Sequence, residues 1–304
     1  RSGVEHVSGV RKAVIPAAGF GTRLYPATKA VKKELFPIVD RDGLAKPFIQ
    51  LIVQEAFSAG IERVCLVLQP DDVPIFQSYF QGDLSPDLSE KLSVRSWARE
   101  QTEVLRQMGG RIDYAVQKTQ DGFGHAVLCA REWVGEEPFL LLLGDHAYIS
   151  DIEKPCALQL IETFQRSGTS CVGVDRTQGE FVHLYGTLKA QPDLRQSRQY
   201  VVERYVEKPT LEYANANLEV QGLGENTFLC LFGQYVLKSE IFDFISHLLK
   251  DGVKNQGEVQ FTDALQMLRD SEGCHHALEI EGRRYDIGVP EQYVATLMAL
   301  AGKH

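Results

Sequence analysis

The chain has 304 residues, of which 44% are hydrophobic and 24% charged, so it can bury a large core and is too long for a peptide-sized binding module. Its 32 Lys and Arg residues are outnumbered by 41 Asp and Glu residues, which gives a formal net charge of −9. A protein of this sign repels phosphate polyanions, which argues against nucleic acid or an anionic membrane as a partner.

The predicted elements alternate between apolar runs of strand length and longer helical patterns, which is typical of β-α-β units and a largely parallel sheet. Strands are predicted over 12–17, 63–68, 112–117, 139–144, 169–174 and 230–237, and helices over 48–60, 125–134 and 241–250. Residues 81–110 are predicted to form a helical insertion. Residues 175–200 are expected to be hairpins and loops before a short strand at 200–208. The simplest account is one α/β domain with a β-rich excursion in its second half.

The spacing of the cysteines and the first residues of the chain indicate the cellular compartment of the protein. The six cysteines are widely spaced without a Cys-x-x-Cys pair, which is typical of reduced thiols and excludes a clustered zinc site. No apolar stretch reaches the roughly 18 residues of a membrane span, and residues 1–12 lack the apolar centre of a signal peptide. These features predict a cytoplasmic protein. Residues 1–10 are expected to be a tail, either a cloning remnant or the cut end of a longer chain.

A basic segment comprises the first strand and the loop after it, which has two close glycines. Residues 11–33 contain six Lys or Arg and no acid, so the rest of the chain has 26 basic and 41 acidic residues, a charge of −15. Gly19 and Gly21 allow backbone N–H groups to face an anion, and Arg23 adds a fork of donors. The segment therefore favours a small polyphosphate ligand. A tight strand-to-helix turn with surface lysines is the alternative on these residues alone.

Two common phosphate loops do not fit this segment, AAGFGTRLYP. No Gly-Lys-Ser/Thr follows at P-loop spacing, and Leu24 stands where the dinucleotide fingerprint has its third glycine. Asp40 lies at a suitable distance for a ribose contact, but the missing glycine argues against a nicotinamide cofactor.

Six segments resemble, in order, the motifs of the nucleotidyltransferases that make nucleotide sugars: KAVIPAAGFGTRLYPATKAVKKELFPI, VQKTQDGFGHAVLCA, LLLGDH, YVEKP, GEVQFTDAL and YDIGVPEQY. The chain is most similar to the bacterial-type UTP:glucose-1-phosphate uridylyltransferase family, from residue 12 to about residue 299. The resemblance implies a Rossmann-like, mixed, mainly parallel sheet flanked by helices, with a small β-rich sugar-binding excursion. It implies a single domain over 11–304, with a nucleotide-binding part at about 11–150, a sugar-binding part at about 151–290 and a C-terminal helix at about 290–304.

The reaction that this family resemblance implies is attack of a sugar-1-phosphate oxygen on the α-phosphorus of a nucleoside triphosphate. The protein then positions and neutralises two anionic reactants, with Mg²⁺ as cofactor. Asp145, after the apolar strand, and Asp286 in YDIGVP are implied as metal ligands, and both offer the hard oxygen atoms that Mg²⁺ prefers. A turn or helix-cap acid is the alternative for each. His146 and Ala147 follow Asp145, so the Asp-x-Asp pattern of glycosyltransferases is absent.

The resemblance also assigns the triphosphate contacts. Arg23 and Lys33 match catalytic family positions, and Lys32 stands where the family has proline. Lys33 is preferred over Lys32. The alternative is a solvated lysine that pairs with Glu34.

Uracil binding is implied for a second group of positions. Gln117 and Gly122 match the base-binding motif, since a side-chain amide can pair with a pyrimidine edge and a glycine admits the base close to the backbone. Ala18, Gly19 and Gly21 of the first loop complete the implied nucleotide site. Without the family, Gln117 is only a polar strand end and Gly122 only a turn.

Sugar-phosphate binding is implied for Gly186, Glu207 and Lys208. A carboxylate can accept hydrogen bonds from vicinal hydroxyls, and the neighbouring ammonium, also implied as catalytic, can face a phosphate. An exposed Glu-Lys pair and a hairpin glycine are the alternatives. The predicted function is uridylyl transfer from UTP to glucose-1-phosphate in a homodimer or homotetramer. The alternatives are the same chemistry with dTTP or another sugar phosphate, and a non-catalytic nucleotide-binding homologue.

Overall fold

The computed structural model describes residues 9–252 and 259–301. Strands in these ranges are β1 (Lys12–Pro16), β2 (Pro37–Val39), β3 (Ala45–Pro47), β4 (Arg63–Leu68), β5 (Ile112–Val116), β6 (Phe139–Leu142), β7 (His146–Ser150), β8 (Cys171–Gln178), β9 (Thr187–Pro192), β10 (Gln199–Val206), β11 (Thr227–Leu237), β12 (His276–Glu279) and β13 (Gly282–Asp286).

Helices in the same ranges are α1 (Ala27–Ala30), α2 (Phe48–Ser58), α3 (Val73–Gln81), α4 (Pro86–Ser93), α5 (Ser96–Gly109), α6 (Gly122–Leu128), α7 (Arg131–Val134), α8 (Cys156–Ser167), α9 (Leu211–Asn217), α10 (Ile241–Lys250), α11 (Phe261–Glu272) and α12 (Pro290–Ala301). Short 3₁₀ helices cover Thr22–Leu24, Lys33–Leu35, Pro70–Asp72 and Gly179–Leu184. Not one of these helices is long and apolar enough to cross a membrane. Residues 1–8, 253–258 and 302–304, which include Gly257 and Glu258 of the GEVQFTDAL motif, lie outside the described ranges.

Nine of the described strands form one mixed sheet in the order β5-β4-β1-β6-β11-β8-β12-β10-β9. Strands β5, β4, β1 and β6 pair in parallel, whereas β11 runs antiparallel to both β6 and β8. Strand β12 is parallel to β8, and β10 is antiparallel to both β12 and β9. All of these strands except β10 and β11 therefore point the same way, which confirms the predicted mixed, mainly parallel α/β sheet.

The core lies on both faces of this sheet. Alternate residues of β1 show it: Ala13 and Ile15 belong to one apolar cluster, and Val14, between them, belongs to another. Side chains of a strand alternate between faces, so a sheet covered by helices on both sides needs strands that are apolar at every position. This two-sided burial explains the continuous apolar runs in the sequence.

Several predicted elements have different ends. The helix predicted over 125–134 begins earlier, at Gly122, and is divided into α6 and α7. The N–H of Ala130 bonds to the carbonyl of Val127, three residues back, and this tighter turn breaks the helix. The strand predicted over 139–144 stops at Leu142. Strand β8 continues to Gln178, past its predicted end at 174, because it pairs with β11 along that length.

Candidate active site

Two adjoining cavities open at the carboxyl ends of the parallel strands. The first, of about 630 Å³, is lined by the glycine-containing loop after β1 and by residues that follow β5. The second, of about 560 Å³, lies between β11, the start of α11 and β13. Arg23, Phe123, Leu143 and Asp145 line both cavities. Ligands of open α/β sheets bind at this edge, so a ligand in each cavity would meet the other at Asp145.

The loop after β1 lines the first cavity with Ala18, Gly19, Gly21 and Arg23. Gly21 has a φ of 64°, in the left-handed region, and a Cβ there would lie 2.9 Å from Cγ2 of Thr28. The Thr28 hydroxyl donates to the Gly21 carbonyl at 3.0 Å. Only glycine adopts this positive φ and avoids the contact with Thr28 without strain, so the turn that carries Arg23 depends on Gly21.

Lys33 reaches the same cavity from the 3₁₀ helix that begins with it. Its Nζ lies 2.8 Å from Oδ2 of Asp145, and its side chain is 13% exposed. Burial lowers the pKa of Lys33, but the charges of Asp145 and Glu34 outweigh this effect, so the pKa lies above its ordinary value. Lys32 pairs instead with Asp72 at 2.9 Å. Lys33 is therefore a partly buried, paired cation at the candidate site rather than a solvated one.

Asp145 and Asp286 are brought together by the pairing of β7 with β13. In this register His146 stands opposite Asp286, and the N–H of Ile287 bonds to the Asp145 carbonyl at 3.2 Å. Nδ1 of His146 lies 2.8 Å from Oδ1 of Asp145, and its Nε2 lies 3.8 Å from Oδ2 of Asp286. The three side chains offer ligand atoms that all lie within 4.8 Å of one another.

The charge state of this cluster suits a hard cation. Burial raises the pKa of Asp145, but Lys33 and His146 lower it more, so the pKa lies well below its ordinary value and the carboxyl is ionised at neutral pH. The N–H of Gly288 donates to Oδ1 of Asp286 at 2.5 Å and orients that carboxylate. Two oriented carboxylates at the edge of these cavities fit Mg²⁺, which binds through one or two carboxylates and keeps positions for water and phosphate.

Gln117 and Gly122 lie together and also line the first cavity. Nε2 of Gln117 donates to the Gly122 carbonyl at 3.2 Å and lies 3.0 Å from Nδ1 of His125 in α6. The Gln117 side chain is buried, and its backbone N–H extends the pairing of β5 with Leu68. The amide is thus fixed in orientation, which a base-recognition group needs.

The second cavity holds the predicted sugar residues. Oε2 of Glu207 accepts from the Thr262 hydroxyl at 3.1 Å, and Nζ of Lys208 lies 4.0 Å from Oε1 of Glu207. Lys208 has a φ of 40°, a strained conformation for a residue with a Cβ, and strain of this kind concentrates at functional sites. The Gly186 carbonyl accepts from the N–H of Leu231 at 2.8 Å, which holds that backbone against β11.

Every site residue predicted from the sequence lines one of the two cavities.

Three further residues of these cavities were not singled out from the sequence: His146, Glu34 and Arg284. Glu34 is 1% exposed, and no described residue supplies a hydrogen bond to its Oε2. Burial raises its pKa to about 7, against the opposing charge of Lys33. Its position directly after two lysines, Lys32 and Lys33, gives no sign of burial. The sequence could have indicated Arg284. It lies two residues before Asp286 on β13, and side chains two apart on a strand share a face.

The fold, a mixed α/β sheet with flanking helices, is of the type found in enzymes that transfer nucleotidyl groups. A family model described as nucleotidyl transferase matches residues 12–302, and the chain belongs to that family. Within it, the chain is 38% identical over 297 residues to the UTP–glucose-1-phosphate uridylyltransferase of Bacillus subtilis, with 96% of this chain and 91% of that protein covered. The family resemblance predicted from the motifs is confirmed. Enzymes of this family generally use a divalent metal ion.

Solved structures show the same likeness. The apo form of a UDP-glucose pyrophosphorylase has a TM-score of 0.81 at 29% identity, with 97% of this chain and 99% of that chain covered. A UDP-glucose pyrophosphorylase complexed with UDP-glucose has a TM-score of 0.76 at 29% identity, with 97% of this chain and 100% of that chain covered. The likeness therefore spans both halves of the sheet and both cavities.

Proposed function

We propose that this chain transfers the uridylyl group of UTP to glucose-1-phosphate, releasing UDP-glucose and pyrophosphate. The observation that carries the proposal is the pair of cavities that meet at Arg23 and Asp145. One has a fixed amide and a loop for a triphosphate, and the other has a carboxylate and an ammonium for a sugar phosphate. Relatives that are 38% identical over almost the whole chain are named for this activity.

UTP is assigned to the first cavity. The N–H groups of the loop at Gly19 and Gly21, with Arg23 and Lys33, supply donors and positive charge for the triphosphate. The base would lie beside Gln117 and Gly122, with Ala18 of the loop after β1 next to it.

Glucose-1-phosphate is assigned to the second cavity. Glu207, held by Thr262, is placed to accept from sugar hydroxyls, while Lys208 faces the phosphate and Gly186 offers backbone to the sugar. Because the side chain of Lys208 is 55% exposed and pairs only loosely with Glu207, it is available to an anionic ligand. This arrangement brings the phosphate oxygen of the sugar toward the α-phosphorus beside Arg23.

Asp145 and Asp286 would hold Mg²⁺, with His146 orienting Asp145 and the N–H of Gly288 orienting Asp286. When bound, the ion would offset negative charge on the phosphates of the two reactants. The chain's own residues position the reactants for in-line displacement. The sugar-phosphate oxygen forms a bond to the α-phosphorus, the bond from that phosphorus to the bridging oxygen breaks, and pyrophosphate leaves. Arg23 and Lys33 stabilise the charge that develops, so no protein nucleophile is required.

A substrate panel tests this proposal. Pyrophosphate release is measured for UTP, dTTP, ATP and GTP, each with glucose-1-phosphate and with other hexose-1-phosphates, and the sugar product is identified by mass spectrometry. We expect the highest kcat/KM for UTP with glucose-1-phosphate. A higher kcat/KM for dTTP than for UTP would show the same reaction with thymidine as the nucleoside in place of uridine. The homodimer or homotetramer stays a prediction, which light scattering tests.

A further inference from the structure

Arg284 lines the second cavity and contacts residues of three other segments of the chain. It lies on β13 two residues before Asp286, so both side chains face that cavity. Its side chain is only 11% exposed, and its Nε lies 3.2 Å from Oδ2 of Asp175 on β8. Its Nη1 donates to the carbonyl of Leu231 on β11 at 2.5 Å, and its Cζ lies 4.0 Å from the centroid of the Tyr185 ring.

These contacts converge on Gly186. Tyr185, the residue before Gly186, lies against the guanidinium, and Leu231, whose N–H bonds to the Gly186 carbonyl, accepts from the same guanidinium. The fit around Gly186 is tight, because a Cβ at that position would lie 2.7 Å from Cδ1 of Leu231. Arg284 therefore holds both neighbours that determine where the Gly186 backbone lies.

The guanidinium is suited to this task for a geometric reason. A planar fork can donate to a carboxylate and a carbonyl while its face stacks on an aromatic ring, and an ammonium has no such face. With Nε and Nη1 directed at Asp175 and Leu231, Arg284 acts on the protein around the sugar side of the cavity.

We propose that Arg284 is a positioning residue for the sugar phosphate, fixing the Tyr185–Gly186 wall relative to the strand that carries Asp286. The inference rests on the proposed function, since it concerns the affinity for the second substrate. Loss of the guanidinium lets this wall move while the loop after β1 keeps its own contacts. The effect should therefore fall on glucose-1-phosphate and spare UTP.

The test is steady-state kinetics of Arg284→Met, with Arg283→Met as the matched control. Arg283 lies on the same strand, is 66% exposed and pairs with Asp151 only at 3.7 Å. We expect the KM for glucose-1-phosphate to rise about tenfold in Arg284→Met, with the KM for UTP changed less than about twofold. Arg284→Lys, which keeps the charge without the planar fork, should give an intermediate KM. Arg283→Met should match wild type.

Tyr185→Leu keeps the question answerable if Arg284→Met does not fold. It removes the ring under the guanidinium and should raise the KM for glucose-1-phosphate in the same selective way. An unchanged KM for glucose-1-phosphate, or an equal rise for both substrates, overturns the positioning role alone. A wild-type protein that releases no pyrophosphate overturns the proposed function, and the positioning role with it.

Discussion

The ammonium group of Lys33 lies 2.8 Å from a carboxylate oxygen of Asp145, although 112 positions separate the two residues. This contact joins the basic segment after β1 to the turn after β6. It places the positive charge of Lys33, together with that of Arg23, at the carboxyl edge of the sheet, next to the carboxylates that fit a metal ion. An acidic chain can therefore present a local site for phosphates, because the net charge of −9 describes the whole surface and not this cavity.

Lys33→Met should lower kcat/KM for UTP by about 100-fold or more, since a buried donor aimed at developing charge contributes on this scale. Lys32→Met is the control, because Lys32 pairs with Asp72 away from Asp145. It should keep activity within about threefold of wild type. Equal losses in both variants would contradict the assignment of Lys33.

Asp145→Asn and Asp286→Asn should each lower turnover at least about 100-fold and raise the Mg²⁺ concentration needed for half-maximal activity. Direct binding of Mn²⁺, followed by electron paramagnetic resonance, gives a readout independent of turnover. Asp151→Asn, on an exposed turn after β7, should behave as wild type. Undiminished Mn²⁺ binding in both site variants would remove these residues as ligands.

Glu34 predicts a pH dependence of stability. Folded Glu34 keeps its proton up to about pH 7, whereas the unfolded side chain releases it near 4.5. Because the folded state binds the extra proton between these values, the free energy of unfolding should fall as the pH rises from about 4.5 to about 7, then level off. Glu34→Gln cannot titrate and should lose this fall, which amounts to at most about 3 kcal/mol.

Urea unfolding of wild type and Glu34→Gln at pH 5 and pH 8 measures this difference. Any change in packing affects the free energy of unfolding equally at both pH values. The difference between the two values therefore reports only the proton bound by Glu34. Glu90→Gln, on the surface of α4, should follow wild type. A Glu34→Gln protein with the wild-type pH dependence would show that Glu34 is ionised throughout.

Alanine substitutions at two glycines of the first cavity should have different effects, one on the stability of the fold and the other on UTP binding. A Cβ at Gly144 would overlap the carbonyl oxygen of Pro16, so Gly144→Ala should reduce the free energy of unfolding by about 2 kcal/mol or more. A Cβ at Gly19 meets no described atom within 4 Å. Gly19→Ala should therefore unfold like wild type and raise the KM for UTP. Equal stability of the two variants in urea would contradict this distinction.

The sequence predicts the sheet well, because its strands are apolar runs that helices cover on both faces. It also predicts Asp145 as a site residue, since an acid directly after the most apolar strand must emerge at the sheet edge. Asp286 is different. Only the family resemblance indicated it, because its partner is determined by the register between β7 and β13, which no local pattern reveals.

Burial of charged groups was the least predictable feature. Lys33 and Glu34 have the pattern of a solvated pair, yet in the 3₁₀ turn over Lys33–Leu35 Glu34 is buried and Lys33 is partly buried. The division between α6 and α7 was missed for a related reason. The apolar periodicity continues through Cys129 and Ala130, and only the hydrogen-bond pattern changes there.

The central claim is that the two cavities form one site for uridylyl transfer. The most direct measurement is pyrophosphate release from UTP by the wild-type chain with Mg²⁺, in the presence and in the absence of glucose-1-phosphate. The account predicts rapid release only when both substrates are present, with UDP-glucose formed in equal amount. UTP binding without release would favour a non-catalytic homologue, and release that does not depend on glucose-1-phosphate would contradict a shared site.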